Sequence, residues 1–223
     1  MTAPAFNQAR GSLVVRHMDH FIQQLEQSLQ GPLPGEEAQY QMAHAVRRGT
    51  ISPPADARKA SVLALFFPRQ KDWHLVFIER QSSHPDDRHG GQIGFPGGKV
   101  EEGDRDLVDT ALREAHEEVG APVEDTQILG SLSELYIPVS NFLVHPFVGF
   151  VPYEPQFVPQ PSEVRSIIKA PFALFQDPNT RQFTDLKLSP EITLRDVPYF
   201  NLDGHVLWGA TAMMMSELLA VVR

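Results

Sequence analysis

A chain of 223 residues, 42% of them hydrophobic and none of them cysteine, has length for one medium domain with an extension, and it excludes disulfides, zinc–thiolate centres and cysteine nucleophiles. Its formal charge of −9 argues against broad binding to nucleic acid or an anionic membrane, although a phosphorylated substrate stays open because bound divalent metal reverses the local sign. No apolar stretch approaches the roughly 20 residues of a membrane span and no cleavable leader is evident, so the expectation is a soluble, cytoplasmic protein.

Residues 1–50 read as a helical extension ahead of a main domain over 51–223. From His17 to Leu29, apolar Met18, Phe21, Ile22, Leu25 and Leu29 share one helical face, and Gly31-Pro32 ends it. Ala38 to Arg47 is a second short helix by expectation, before Pro53-Pro54. The near-continuous apolar run Ala60–Phe67 predicts a strand buried on both faces. Trp73–Glu79 follows as a strand and Gln81–Gly94 as a polar loop. The helix from Asp104 to Val119 is the clearest in the chain, with Gly120 placed to cap it. Gln127–Tyr136, Phe142–Val151 and Glu163–Ile168 read as strands, Pro152–Pro161 as a rigid loop, and Pro171–Phe175 as a helical turn. Val197–Phe200 and His205–Trp208 form a hairpin through Asp203-Gly204. Thr211–Val222 closes the chain as a helix, and its Met213-Met214-Met215 reads as core packing.

The helix carries Arg113-Glu114-Ala115-His116-Glu117-Glu118-Val119-Gly120. At roughly 100° per residue, Glu117 and Glu118 lie at about −60° and +40° from Glu114, so the carboxylates share one face. Leu107, Ala111, Ala115 and Val119 recur on a neighbouring face that can anchor the helix. Clustered like charges cost a few tenths of a kcal/mol per pair, and the macrodipole disfavours anions near the C-terminal end. A solvated acidic face is the ordinary reading of such a cluster. A hard cation such as Mg²⁺ is the alternative that compensates the repulsion. Arg113 can hold Glu117 through an i,i+4 pair. Upstream, Gly97-Gly98 leaves the backbone open to a phosphate or metal.

That composite resembles the Nudix box. Gly98 is followed after five residues by the acid Asp104, and Arg113-Glu114 through Gly120-Ala121 matches the second half. Asp104 stands where the family has Glu, and one extra residue precedes Arg113. The resemblance implies an α/β fold, an α/β/α sandwich with a mixed sheet, and a Mg²⁺- or Mn²⁺-dependent diphosphatase. Glu114, Glu117, Glu118 and the Gly98 carbonyl would hold the metal; Arg113, Glu117 and Glu163 would serve catalysis.

Within the family the chain looks like the coenzyme A group. Arg80 ends a strand, and Gly91-Gln92-Ile93-Gly94 precedes Phe95-Pro96-Gly97-Gly98. Trp208-Gly209-Ala210-Thr211-Ala212 precedes the last helix, and Glu163-Val164 follows a proline-containing loop. This implies cleavage of coenzyme A to 3′,5′-ADP and 4′-phosphopantetheine, with Arg80, Arg88, Phe95, Gly97 and Gly98 as substrate contacts. Between Arg80 and Gly91 the spacing is longer than in that group, and its internal arginine falls on Asp87, with Arg88 and His89 beside it. Two other readings are a Nudix pyrophosphatase for another nucleoside diphosphate, such as ADP-ribose, and a non-catalytic nucleotide-binding domain. His74, His145 and His205 have no partner at ligand spacing, and His116 falls at a variable position. The partner expected is a small nucleotide substrate, not nucleic acid or membrane, with room for a homodimer.

Overall fold

A computed structural model describes residues 20–47, 52–81, 90–189 and 191–222. Strands β1 (Arg58–Arg69) and β2 (Asp72–Arg80) form a hairpin that pairs near its turn, from Phe66↔Leu75 to Arg69↔Asp72. Beyond that the strands part. The gap is filled by the chain that follows: β3 (Ile93–Gly94) bonds to β2, and β4 (Gly97–Lys99) bonds to β1 over Ala60–Val62. Between them the Leu63 N–H donates to the Pro96 carbonyl at 2.9 Å. Gly97 makes this insertion feasible. Its φ is +157°, and a Cβ there would lie 2.4 Å from the Ser61 carbonyl oxygen.

β7 (Phe142–Phe150) runs parallel to β1 on its other edge, in register from Arg58↔Phe142 to Phe66↔Phe150. β5 (Gln127–Ser131) and β6 (Leu135–Ile137) pair antiparallel with β7, and β8 (Val164–Pro171) lies along β2. The result is an eight-stranded mixed sheet with β1 near its centre. β9 (Arg181–Lys187), β10 (Thr193–Leu202) and β11 (His205–Trp208) make a separate three-stranded sheet. The expected turn at Asp203-Gly204 is there, with φ of +50° and +97°.

Alternation along β1 assigns each side chain to a face. Leu63, Leu65 and Phe67 pack with Ala111, Ala115 and Val119 of α3 (Leu107–Val119). Ala60, Ala64 and Phe66 face the other layer, which holds α1 (residues 20–29), α2 (Gly35–Gln39), α4 (Phe172–Gln176) and α5 (Gly209–Val221). This is the α/β/α arrangement the family resemblance implies. Phe21 of α1 packs edge-on to Phe66 at 5.6 Å and against Phe172 at 5.5 Å, so residues 20–29 are built into the core. Met213, Met214 and Met215 are buried there too.

Several expected elements change. The strand over Gln127–Tyr136 is two strands, because the Ser133 N–H leaves the ladder and donates to Glu217 Oε1. The helix over Ala38–Arg47 is a short α2 followed by separate 3₁₀ turns, interrupted where Ala43 is extended. α3 starts at Leu107 rather than Asp104, with Asp106 capping it by accepting the Asp109 N–H at 2.8 Å. β9 gives little signal in sequence, since Phe183 and Leu186 are its only large apolar residues and Phe183 is exposed.

Candidate active site

α3 ends as its sequence predicts. Gly120 adopts φ +68°, its N–H donates to His116 O, and the Ala121 N–H donates to Ala115 O. The exposed His116 ring hydrogen-bonds the Ala121 carbonyl, a local cap rather than a ligand. Two further carbonyls of the last turn are met by the proline-rich loop. Val158 N–H donates to Val119 O at 2.9 Å, and Gln160 N–H to Glu118 O at 3.0 Å.

Arg113 is the hub of the acidic face. Its Nε and a terminal nitrogen grip Asp104 at 2.7 and 3.0 Å. The other terminal nitrogen donates to Glu114 Oε1 at 3.1 Å and to Glu117 Oε2 at 3.0 Å. The i,i+4 pair with Glu117 is therefore present, but Asp104 is the stronger anchor. Asp104 also accepts from the Glu101 N–H and from Thr110 Oγ. The Arg113 hydrogen bonds hold its carboxyl far below the ordinary carboxylate range. Asp104 thus orients Arg113, and Arg113 in turn orients Glu114 and Glu117.

The other two acids of the face are buried. Glu118 is 1% exposed, and its Oε2 accepts the Gly97 N–H at 2.8 Å. Arg80 stands 3.7 Å from its Oε1. Burial pushes the Glu118 carboxyl up to about 7, against the opposing pull of the Gly97 N–H and Arg80. Burial likewise raises Glu114, with Arg113 opposing. A Cβ on Gly98 would lie 2.5 Å from the Glu114 carboxylate, so the bare face of this glycine is the seat of Glu114. Among the described residues no three His, Asp or Glu side chains are already gathered into a metal-ready cluster. Glu117 is drawn to Arg113 and Glu118 to Gly97, yet the donor set fits a hard divalent cation: oxygen ligands on one face, with buried charge only partly compensated.

Glu163 precedes β8 and is exposed. Its N–H donates to Gln160 O, and its carbonyl accepts the Gln81 N–H at 2.7 Å, which ties it to the end of β2. The next residue, Val164, stands opposite Arg80 in the sheet, so Glu163 lies beside the end of β2 that carries Arg80. Arg80, Gly97, Gly98, Arg113, Glu114, Glu117, Glu118 and Glu163 are thus brought together. Phe95 is not. Expected as a substrate contact, it is 3% exposed and stacked on Phe77 at 4.9 Å, because β3–β4 sinks that side chain into the core. Arg88 and His89 lie outside the described residues. Thr211 of the closing motif comes close to this segment, its Oγ1 3.8 Å from where a Gly94 Cβ would stand. Sequence reading missed the role of Asp104 as anchor for Arg113, and its spacing from Gly98 was the only available signal.

Comparison with known proteins gives the family. The NUDIX domain model matches residues 57–186. The Uncharacterized Nudix hydrolase NudL of Pectobacterium atrosepticum is 44% identical over 135 residues, 59% of this chain and 67% of that protein. The protein of the same name from Yersinia pestis is 32% identical over 164 residues, 74% of this chain and 79% of its own. Among solved structures, a MutT/nudix family protein from Enterococcus faecalis aligns with a TM-score of 0.48 at 13% identity, covering 85% of this chain and 74% of that one. No helix among the described residues is long and apolar enough to cross a membrane. A box of carboxylates on α3, the glycine turn inserted beside it and a family match over the sheet that carries both lead to one conclusion: this chain belongs to the Nudix hydrolases.

Proposed function

We propose that this Nudix hydrolase cleaves the diphosphate of coenzyme A or its acyl derivatives in the cytoplasm, releasing 3′,5′-ADP and 4′-phosphopantetheine or its acyl form, with Mg²⁺ or Mn²⁺ as the working ion. The observation that carries the reading is Arg80: 42% exposed at the end of β2, it stands beside buried Glu118, where a cation can meet a diphosphate lying on the carboxylate face. The Phe95–Gly98 turn, the residue added before Arg113 and the Trp208–Ala212 motif support the coenzyme A assignment by resemblance.

Glu114, Glu117, Glu118 and the Gly98 carbonyl would hold the ions. A divalent metal held there would supply Lewis-acid chemistry, lowering the pKa of a water and offsetting charge on the leaving phosphate. The protein supplies the rest. Asp104 and Arg113 fix the directions of Glu114 and Glu117. The Gly97 N–H keeps Glu118 pointed at the glycine turn. Glu163, exposed at the rim, or the outward Glu117 accepts the proton of the attacking water. Arg80 neutralises a phosphate oxygen.

A panel of coenzyme A, acetyl coenzyme A and ADP-ribose, each with Mg²⁺ and with Mn²⁺, tests the proposal with products identified by mass spectrometry. Coenzyme A should show the highest kcat/KM and yield 3′,5′-ADP. Preference for ADP-ribose would replace the substrate and keep the chemistry.

A further inference from the structure

The α3 face of the sheet carries a buried polar row. His145 on β7, Ser61 on β1 and Gly98 on β4 stand directly opposite one another across three neighbouring strands. Ser61 shares its side of β1 with Leu63, Leu65 and Phe67, which pack against α3. Gly98 brings no side chain to its place in the row, and the Glu114 carboxylate fills that place. Read along the sheet, the sequence of groups is His145, Ser61, Glu114 carboxylate. At the far end, His145 Nδ1 lies 3.2 Å from Glu134 Oε1.

Two atoms in this row stand out. Ser61 Oγ and His145 Nε2 are buried, and among the described residues neither has a hydrogen-bond partner. Apolar residues would fill both places without that cost. Burial holds His145 below its ordinary value and Lys59 adds to that, while Glu134 opposes both. With Nδ1–H given to Glu134, the neutral ring turns Nε2 inward as an acceptor. The two side chains make no direct hydrogen bond, and one bridging water between these neighbouring strands would satisfy both atoms.

We infer that Ser61 and His145 are positioning residues for the hydrolytic reaction: with internal water they form a hydrogen-bonded line from Glu134 to the inner side of the Glu114 carboxylate and fix its orientation toward the metal. The water donates to His145 Nε2 and to Ser61 Oγ, and the Ser61 hydroxyl, directly or through a second water, supplies a donor to Glu114. This inference rests on reading Glu114 as a metal-holding residue.

The test uses the full chain with Ser61→Ala, His145→Leu, His145→Gln and the control Glu114→Gln. Each is measured for melting temperature, Mn²⁺ affinity by electron paramagnetic resonance without substrate, and kcat and KM on the best substrate of the panel. Ser61→Ala should melt close to the wild-type temperature, since among the described residues its hydroxyl bonds to no protein group. It should nonetheless lose roughly tenfold in Mn²⁺ affinity and in kcat, with KM within about twofold. His145→Leu should behave alike, and His145→Gln should restore most of the loss. In a Glu114→Gln background, Ser61→Ala should cost no further Mn²⁺ affinity. Unchanged kcat and Mn²⁺ affinity in Ser61→Ala would overturn the positioning line, whatever His145→Leu does to folding. Full activity in Glu114→Gln would overturn the reading of the metal face itself.

Discussion

Glu118 and Glu217 are both buried, on helices that cover opposite faces of the same sheet, and their surroundings differ. Glu217 of α5 accepts from the Gly35 N–H at 3.1 Å, the Ser133 N–H at 3.1 Å and Gln39 Nε2 at 2.8 Å. These donors are fixed by the fold and clasp the carboxylate from several sides. They also latch α2 and the β5–β6 turn onto the last helix. Glu118 of α3 receives one such donor, the Gly97 N–H, and a more distant Arg80. The first arrangement is complete. The second leaves a buried carboxylate short of partners beside two more acids, an arrangement that suits a cation.

Substitutions can break this contrast. The largest effect is expected from Glu118→Gln: turnover should fall roughly a thousandfold, about 4 kcal/mol of activation free energy, with melting unchanged or raised. Comparable turnover in the variant would place Glu118 with Glu217 among the structural acids. Glu217→Ala should do the reverse. It strands its donors and should cost about 3 kcal/mol of stability in urea unfolding, while kcat at a temperature where the variant is folded stays within about twofold.

Asp104→Asn is next, at about 2 kcal/mol, because it weakens the grip on Arg113. The sign of its pH dependence follows from the depressed carboxyl. Stability from Asp104 is full above the ordinary value of 3.8 and is lost as pH falls below it. Wild type and Asp104→Asn should therefore differ in melting temperature at pH 6 and converge toward pH 2, and a constant gap would reject the ion pair as its source. Gly98→Ala is the smallest change. Its methyl must displace the Glu114 carboxylate, so kcat should fall roughly tenfold, about 1.4 kcal/mol, with little shift in melting; a melting loss without a kcat loss would locate the contact outside the chemistry.

Much of this was legible before folding. The carboxylates of α3 share a face because helical periodicity is local, and Gly120 marks its own cap. The apolar run of β1 announced burial on both sides. What escaped depended on distant partners. Nothing near Ser133 in sequence signals that its amide serves Glu217, so the strand pattern runs through the break. Phe95 sits in a motif suggestive of ligand contact, but strand alternation after the insertion turns it onto Phe77. His145 offered no ligand spacing because its neighbours in the row lie on other strands. The role of the Pro152–Pro161 loop in meeting the last carbonyls of α3 was equally hidden, since backbone amides carry no residue signature.

The divided β1–β2 hairpin bears on how such a molecule can change. Where the chain leaves β2 and returns, Arg80 N–H donates to Gln92 O at 3.0 Å and Gly91 N–H donates to Arg80 O at 2.9 Å, which pins the neck of the excursion between them. A chain segment whose two ends are tied in this way accepts added length at the cost of loop-closure entropy, about 0.6 kcal/mol for each doubling. A residue inserted among Gly97, Gly98 and Lys99 would instead invert their alternation against β1 and swing the Glu114 seat to the wrong side of the sheet. Added length is thus tolerable before that neck closes and prohibitive beyond Phe95, so the carboxylate face can be kept while the chain ahead of it varies.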